Sequence, residues 1–396
     1  MTSCVNRLCL KQQKKKNQYD FSDVFCKVKD LFDASDFVIA NLETPLAGEE
    51  LGYTHSLFSF NSPDELADAI KAAGIDMVTT ANNHCLDRGV TGLLRTMAVL
   101  DEKHIPYSGT SQDNNNRSAA TTFSLGECKA ALVSYTYGTN FISNRVILEK
   151  HQKDLINLLR PQEERYYITD RDNPQPLFTR AVNKLMRPLR SEYRYAIKKA
   201  LHMQYNQAHE DNNLNEKTAE PYMEKLFADI EYAKKTADLV FFYPHIGGQF
   251  NSKPGAFTEY VFSKALQYGA NAIIASHTHV VQKAKYISGT PCFYSIGNFS
   301  MSPNSVYLLH DNHPEYGLAV HFYIDNNKIQ RCTFSVLKMI EEKRQMLCVW
   351  PTDLLFASLR DTQKRRLFLE VSEIVFKVSG RKIKEIRSEY ELSIDD

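Results

Sequence analysis

Short apolar segments alternate with helical patterns along this chain, and that alternation constrains the fold more than any other sequence feature. Residues 37–42, 76–81, 239–243 and 272–275 have the length and composition of buried strands. Helical patterns separate them, such as residues 89–103 after the second apolar segment. Strands and helices that alternate at this spacing form a parallel sheet from βαβ units. The sequence therefore predicts an α/β protein.

Composition excludes several classes of protein. The 396 residues carry 48 basic and 47 acidic side chains, so no overall field favours nucleic acid or a membrane. No apolar run approaches the roughly 20 residues that span a bilayer, and the chain does not open with a signal peptide. The eight cysteines form no CxxC pair, which is typical of reduced thiols. As the chain stands, we expect a soluble cytoplasmic protein without a nucleic-acid partner; the sequence does not indicate the oligomeric state.

Two histidines, His277 and His279, directly follow the apolar segment 272–275. In an extended segment, side chains at i and i+2 lie on the same side, so both rings could address one point. That point would lie beyond the carboxyl end of the strand, where open α/β sheets bind their ligands. Imidazoles in this place suit a metal ion and an anionic substrate. For this segment alone, an ordinary turn with two exposed histidines is the alternative interpretation.

Metal-competent side chains also follow three other strands. In chain order they are Glu43, then Asn82, Asn83, His84 and Asp87, and then His245. Taken singly, Glu43 could cap a turn and His84 could be a buried, hydrogen-bonded histidine. Core packing gives no reason for such residues to recur at the same place in successive strands. Carboxylate, amide and imidazole ligands together are consistent with Mn, Fe or Zn.

Five short motifs in this order resemble those of the CapA family of capsule-synthesis or poly-γ-glutamate-synthesis proteins. They are NLETP at 41–45, ANNHCLD at 81–87, HIGG at 245–248, SHTH at 276–279 and SIGNF at 295–299. The resemblance implies a fold similar to calcineurin-like metallophosphatases, which is a four-layer α/β/β/α sandwich with a metal centre at one edge of the sheets. It also implies a divalent-metal cofactor, with two ions of Mn, Fe or Zn.

The resemblance assigns a metal-binding role to five residues. Glu43 would be the bridging carboxylate, and Asn83 would supply an amide ligand. His245 and His277 would ligate one ion, and His279 would ligate the other. Two ions held in this way activate water and clamp both oxygens of an in-line displacement.

The resemblance also implies residues that act on the substrate. His84 would contact the substrate anion or protonate a leaving group. Asp87 would orient His84, because a carboxylate fixes the tautomer of an imidazole. Asn41, Asn82 and Asn298 are expected to bind substrate.

One feature of the family pattern is absent. Family members normally open with a strand that ends in Gly-Asp, whose carboxylate is a metal ligand. In this chain no Asp precedes Asp20. Either the chain starts late, through a truncated gene or a misassigned start, or one metal position has lost a ligand and with it its occupancy. In the first case, association with the cell surface is the alternative to a cytoplasmic location. Milder departures are Ser276, where the family usually has Gly, and Ile246, where it has an aromatic residue.

Sequence patterns divide the chain into five segments. These are a disordered or truncated N-terminal segment (1–20), the two parts of a CapA-like domain (21–143 and 221–345), a mostly helical insertion (144–220) and a C-terminal helical extension (346–396). The insertion is rich in Arg, Lys, Gln, Tyr and Asn and lacks strand-like segments. It contains helical patterns at 148–159 and 178–208.

The insertion presents a basic face. Its residues are Arg187, Arg190, Arg194, Lys198 and Lys199. This face could meet an anionic polymer or nucleic acid, although such faces are more often simply solvated.

Two functions from different classes are consistent with these patterns. The first is a metal-dependent hydrolase in capsule or exopolymer biosynthesis, which cleaves a phosphoester or an amide bond of an anionic polymer with metal-activated water. The second is a non-catalytic accessory protein with a degenerate metal site, which binds polymer or a membrane capsule synthase. The absent Gly-Asp favours the second, whereas His84, His245, His277 and His279 favour the first. The hydrolase is our first hypothesis, and the accessory protein is its alternative.

Overall fold

In the computed structural model, helices and strands alternate through the first half of the chain as the sequence predicts. The structure describes residues 13–15, 18–53, 59–113, 119–162, 177–189, 193–194, 197, 200–201, 209–304, 312–341 and 347–392. Its α-helices are α1 (Ser22–Phe25), α2 (Lys29–Asp33), α3 (Glu65–Ala72), α4 (Gly89–Glu102), α5 (Phe141–Asn144), α6 (Leu177–Leu185), α7 (Glu216–Thr236), α8 (Ala256–Tyr268), α9 (Thr352–Ser358) and α10 (Asp361–Ser379). Its strands are β1 (Gln13–Lys15), β2 (Gln18–Tyr19), β3 (Ile39–Asn41), β4 (Met77–Thr79), β5 (Tyr107–Ser108), β6 (Thr121–Leu125), β7 (Cys128–Thr136), β8 (Leu239–Ile246), β9 (Ala272–Ile274), β10 (Ser276–His277), β11 (Ala284–Ile287), β12 (Thr290–Phe293), β13 (Tyr316–Asp325), β14 (Lys328–Glu341), β15 (Leu347–Pro351) and β16 (Tyr390–Glu391).

The largest sheet has seven strands in the order β11-β12-β9-β8-β7-β6, and β10 also pairs with β8. Strands β7, β8, β9 and β12 run parallel to their neighbours in this central part. Strands β6 and β11 are antiparallel to β7 and β12. Every residue of β8 is buried, because both faces of the sheet are covered. The continuous apolar segment at 239–243 is therefore the central strand of a largely parallel sheet.

Two helices cover one face of the seven-stranded sheet. Phe242 and Ile246 of β8 lie in one buried cluster with Met223 of α7 and Phe262 of α8. The helical side chains recur at intervals of three or four residues, so each helix presents one apolar stripe to the sheet. Burial of these side chains fixes α7 and α8 on this side.

A second sheet packs on the opposite face. It has four strands, in the order β13-β14-β15 with β16 beside β14. Phe241 and Tyr243 of β8 share a buried cluster with Phe334 and Val336 of β14. Because successive side chains of a strand point to opposite faces, β8 contributes to both cores.

A parallel sheet of three strands, β3-β4-β5, completes the architecture. Val78 of β4 lies in a third cluster with Phe25 of α1, Ile70 of α3 and Leu337 of β14. Helices therefore lie on both sides of the packed sheets. This arrangement confirms the predicted α/β fold class and is that of a metallophosphatase-like sandwich.

The helices predicted near the C-terminus are present and belong to the core. Leu367, Ile374 and Val375 of α10 are buried in the cluster between the two larger sheets. Strand β15, which precedes α9, pairs with β14. The segment 346–396 thus supplies strands as well as helices.

The helix predicted at 148–159 is wrong. A 3-10 helix, Lys150–Leu155, is followed by extended backbone that pairs with two other segments. Asn157 N donates to Gly109 O (2.9 Å), and Thr136 N donates to Asn157 O (2.9 Å). These tertiary hydrogen bonds override the local helical pattern. Residues 177–185 of the second predicted helix are helical, whereas much of 178–208 lies outside the described residues.

Two expectations near the N-terminus also change. The sequence predicts a disordered or truncated segment at 1–20, yet β1 and β2 form an antiparallel pair; residues 1–12 and 16–17 lie outside the described part. The apolar spacing of residues 21–32 predicts one helix, whereas the structure has two, α1 and α2, so that Val24, Phe25 and Phe32 reach one core. In the described part of the chain, no helix has the length and apolarity needed to span a bilayer.

The packing of α10 gives a stability prediction. Ile374 is 1% exposed, and we expect Ile374→Ala to lower the free energy of unfolding by about 2–5 kcal/mol, because it leaves a cavity between the sheets. Leu369 of the same helix is 55% exposed, so Leu369→Ala should change the free energy of unfolding by less than about 0.5 kcal/mol. Urea unfolding followed by circular dichroism measures both. If both variants changed the free energy of unfolding by a similarly small amount, α10 would contribute little to stability.

Candidate metal centre

Polar side chains from four strands meet at one place. Glu43 follows β3, Asn83 follows β4, His245 lies near the end of β8, and His277 ends β10. Strands β10 and β8 are parallel, with Ser276 opposite His245 and His277 opposite Ile246. This register brings the two imidazoles together at the carboxyl ends of the strands, which is where α/β sheets bind ligands.

Glu43, His245 and His277 form a buried cluster whose ligand atoms all lie within 4.8 Å of one another. His245 Nε2 is 3.2 Å from His277 Nδ1 and 3.5 Å from Glu43 Oε1. Asn83 Oδ1 lies 2.8 Å from the same nitrogen. On the other side of the ring, Nδ1 is 3.2 Å from Ser276 Oγ. These four residues thus surround a single point with nitrogen and oxygen donors.

Burial controls the charge of this cluster. Desolvation lowers the pKa of His245 well below its usual value, and the neighbouring His277 acts in the same direction. Desolvation likewise lowers the pKa of His277, with a further contribution from His279. Burial raises the pKa of Glu43 to about 7, although His84 opposes this shift. Both imidazoles are therefore neutral near pH 7, and a neutral imidazole is the form that ligates a metal.

The donors fit a divalent cation. Among the described residues, Glu43 Oε1 and His277 Nε2 are buried without a hydrogen-bond partner. Such atoms cost free energy unless a partner satisfies them. A carboxylate, two imidazoles and an amide oxygen are ligands that Mn, Fe and Zn accept. The cluster is thus a candidate site for one such ion, and its chemistry does not identify the metal.

Backbone strain marks the same place. His277 has a φ of 119° and His279 a φ of 60°, values in the left-handed region that non-glycine residues rarely adopt. Gly247 has a φ of 120°, and a Cβ there would lie 2.5 Å from Thr278 Cγ2. Strained residues of this kind concentrate at functional sites.

The backbone of His277 and His279 differs from the extended form assumed from their i, i+2 spacing. Their ring centroids are 6.0 Å apart, and His277 alone joins the cluster with Glu43 and His245. His279 Nδ1 instead lies 2.9 Å from Asn298 Oδ1, and its ring packs against Phe250. Positive φ angles explain the difference, because they rotate the two side chains out of the alternation of a strand. A second metal ion at His279 stays a prediction.

His84 and Asp87 are in direct contact. Asp87 Oδ2 accepts a hydrogen bond from His84 Nδ1 (2.6 Å) and another from Phe60 N (2.6 Å). The Phe60 ring stacks on the imidazole with centroids 3.7 Å apart. Because an ionised carboxylate only accepts hydrogen bonds, Asp87 fixes the proton on Nδ1. This is the geometry expected for a pair in which Asp87 orients His84; its catalytic role stays a prediction.

The three amides expected to bind substrate make internal hydrogen bonds. Asn82 Nδ2 donates to Leu42 O (2.8 Å), and Asn41 Nδ2 donates to Glu43 Oε2 (3.4 Å). Asn298 Nδ2 donates to His279 O (2.9 Å) and to Pro314 O (2.8 Å). In the structure these amides support the loops that carry the ligands. Contact with substrate stays a prediction for all three.

Sequence reasoning missed three residues beside the cluster. The Tyr137 ring packs on His277 with centroids 4.5 Å apart, and Tyr137 N donates to His245 O (3.0 Å). Asn140 Oδ1 accepts a hydrogen bond from Asn83 Nδ2 (3.0 Å). Tyr137 and Asn140 follow β7, so the strand-end pattern that identified Glu43 and His245 could have found them.

The third missed residue, Arg160, has no comparable sequence signal. It is 1% exposed, and its guanidinium lies over the rings of Phe257 (4.4 Å) and Tyr137 (5.3 Å). Its Nε donates to Tyr137 O (3.2 Å). A buried arginine in a polar insertion is visible only once the fold is known.

Bacterial proteins resemble this chain at low sequence identity. A family model described as Bacterial capsule synthesis protein PGA_cap matches residues 5–302. "Uncharacterized protein y4sH" of Sinorhizobium fredii (strain NBRC 101917 / NGR234) is 23% identical over 285 residues, which are 69% of this chain and 61% of that protein. "Capsule biosynthesis protein CapA" of Bacillus anthracis is 22% identical over 286 residues, or 72% of this chain and 54% of that protein. "PGA biosynthesis protein CapA" of Bacillus subtilis (strain 168) is 22% identical over 288 residues, which are 72% of this chain and 59% of that protein. The chain thus spans 54–61% of the length of these relatives.

The buried titratable groups predict how the stability of the metal-free protein depends on pH. In the unfolded chain, His245, His277 and His279 bind protons below their ordinary pKa of 6.5. In the folded protein, burial lowers the pKa of all three, and that of His279 falls to about 4. Glu43 acts oppositely, because its folded pKa of about 7 exceeds the ordinary 4.5. Between about pH 6 and 5, unfolding takes up about three protons on the histidines and releases about one from Glu43, a net uptake of about two. The free energy of unfolding should therefore fall by about 2–3 kcal/mol for each pH unit of acidification in this range.

Urea unfolding in the presence of a chelator at pH 7, 6 and 5 measures this slope. His277→Gln removes one titrating ring and places another non-glycine residue at the same strained backbone position. The slope of this variant should be smaller by about 1.4 kcal/mol per pH unit. An unchanged slope would contradict the assignment of a neutral, buried His277.

Proposed function

Because the chain belongs to the family of bacterial capsule synthesis proteins described as PGA_cap, we propose that it is a metal-dependent hydrolase in the synthesis of an anionic capsule polymer. The substrate would be a phosphoester or an amide bond of the polymer, with poly-γ-glutamate as the first candidate. One observation carries the proposal: Asn83 and Asn140 link the buried cluster of Glu43, His245 and His277 to the His84–Asp87 pair. Two relatives have capsule or PGA biosynthesis in their names, which supports the process rather than the reaction.

Four residues would hold the ion. Glu43 would supply a carboxylate oxygen, Asn83 an amide oxygen, and His245 and His277 a ring nitrogen each. When bound, a divalent cation supplies Lewis-acid chemistry, because it neutralises charge on a phosphoryl or carbonyl oxygen and makes water a better nucleophile. The negative charge of Glu43 and the neutral imidazoles would leave the loaded site with net positive charge. Such a site favours an anionic substrate.

His84 would act as the proton donor to the leaving group in the form that carries a proton on both ring nitrogens, and it would transfer the proton of Nε2. Its Nδ1 proton is held by Asp87, so Nε2 is the nitrogen left to exchange a proton with substrate. Asn140 Nδ2 lies 3.4 Å from this Nε2 and links the imidazole to Asn83, a residue of the candidate metal site. Stacking on Phe60 restricts rotation of the ring. The contacts thus orient one general acid next to the place where the ion would bind.

Metal binding provides the first test. Wild-type protein stripped with a chelator and titrated with Mn²⁺, Fe²⁺ or Zn²⁺ should bind at least one of these ions at near-stoichiometric ratio. His245→Ala and His277→Ala should each lower the affinity by at least about 10- to 100-fold, because each removes a ligand. His151→Ala is the matched control, since that side chain is 72% exposed and lies away from the cluster. Calorimetry and elemental analysis measure both quantities. Folded wild-type protein that binds none of the three ions would refute the metal site.

Hydrolysis provides the second test. The loaded protein is assayed with bis-p-nitrophenyl phosphate and with γ-glutamyl oligomers. His84→Gln should lower the rate about 10²- to 10⁴-fold while metal affinity stays unchanged, because the general acid is lost and the ligands remain. His151→Gln should leave the rate unchanged.

The two tests separate the proposed enzyme from its main alternative. A protein that binds metal and γ-glutamyl polymer but cleaves neither substrate would be an accessory protein. In that case the cluster would bind polymer without catalysis, and the hydrolase proposal would be wrong.

A further inference from the structure

The insertion carries a helix whose apolar side chains are exposed in the described part of the structure. Three large apolar side chains of α6 are among the most exposed in the described part of the chain: Leu177 (81%), Phe178 (69%) and Leu185 (81%). Single exposed apolar residues are common, but several on one short helix form a patch. Such a patch costs free energy in water and indicates a binding surface.

The sequence of this helix separates apolar from basic residues. Leu177, Ala181 and Leu185 recur at four-residue spacing, which places them on one side of a helix. Arg180 and Lys184 form a second row, also at four-residue spacing. Residues 177–189 contain three basic residues, the third being Arg187, and no acidic residue. The helix is therefore amphipathic, and all the charged residues of its polar face are basic.

We propose that α6 docks on the surface of an anionic lipid bilayer. A helix with an exposed apolar face and a cationic polar face lies in the plane of the membrane, with its apolar side chains among the acyl chains and its basic side chains at the headgroups. Nine residues extend about 14 Å, well short of the roughly 30 Å of a bilayer core, so this helix lies on a membrane rather than crossing it.

Charge distinguishes a bilayer from other occupants. A second copy of the chain docked through α6 would cover Leu177, Phe178 and Leu185, but its own residues 177–189 contain no acidic side chain to pair with the basic ones. A soluble polyanion would pair with these cations but would leave Leu177, Phe178 and Leu185 in water. An anionic bilayer satisfies both faces at once.

The segment that carries α6 is held to the rest of the fold at both ends, and its N-terminal end lies beside the candidate metal centre. Arg160, on its N-terminal side, contacts Tyr137, which packs on His277. Asp211, on its C-terminal side, is 1% exposed and accepts hydrogen bonds from Thr258 N and Thr258 Oγ1 at the start of α8. Membrane docking of α6 would thus tether the sheet edge that bears the candidate metal centre. The proposal itself does not depend on metal binding or hydrolysis.

Vesicle flotation of the full chain tests the docking. At low ionic strength, wild-type protein should float with vesicles of phosphatidylcholine and phosphatidylglycerol and should stay at the bottom with phosphatidylcholine alone. The combined variant Leu177→Ser, Phe178→Ser and Leu185→Ser should lower the partition coefficient at least about tenfold, because the apolar contacts are lost. The combined variant Arg180→Gln, Lys184→Gln and Arg187→Gln should lower it about 100-fold, at about fivefold for each basic residue.

A matched control tests whether the position of the apolar residues matters. Leu354, Leu369 and Phe376 of α9 and α10 are also exposed (47%, 55% and 51%), and they provide the same two leucines and one phenylalanine. Their combined change to serine should leave flotation unchanged. Circular dichroism verifies that all variants are folded.

Three results would overturn the proposal. They are a wild-type protein that does not float with anionic vesicles, an α6 apolar variant that floats as well as wild type, and a control variant that loses flotation as strongly. A wild-type dimer that becomes monomeric in the α6 variant, with no vesicle binding in either, would instead assign the face to a second copy of the chain.

Discussion

The surroundings of one buried nitrogen, His245 Nε2, determine the geometry of the candidate metal centre. Atoms of Asn83, His277 and Glu43 that can accept a hydrogen bond all lie within 3.5 Å of it. A neutral imidazole has one N–H in total, so it cannot satisfy three acceptors. Buried polar atoms that stay unmatched cost free energy. A cation bound among these atoms would resolve the mismatch, because each acceptor would become a ligand.

Strand pairing holds this arrangement against local strain. The positive φ angles of His277 and His279 each cost on the order of 1–3 kcal/mol. They persist because β10 is paired with β8, and because Asn298 binds both the ring and the backbone carbonyl of His279. The two packed sheets thus supply the stability that the strained loop lacks.

The insertion has one part that is buried beside the candidate site and another that is exposed on the surface. Arg160 packs beneath Tyr137, and residues 155–159 pair with residues 109–111 and with Thr136 at the end of β7, so this part of the insertion lies within the fold. In contrast, α6 places its apolar side chains in solvent. One segment thus contributes to the wall of the candidate site and to an exposed amphipathic surface. Its polar composition alone would have suggested only a solvated appendage.

The sequence by itself determined the α/β class and the strand-end positions of Glu43, His84, His245 and His277, because apolar segments and the residues that follow them are local features. Only the tertiary structure decided which of these residues meet. It separated His279 from the cluster through a backbone conformation that spacing does not encode. In the structure, residues 156–159 of the predicted helix at 148–159 are paired, extended backbone, and Arg160 lies beside the site. Both depend on contacts between segments distant in sequence, and a local pattern carries no information about such contacts.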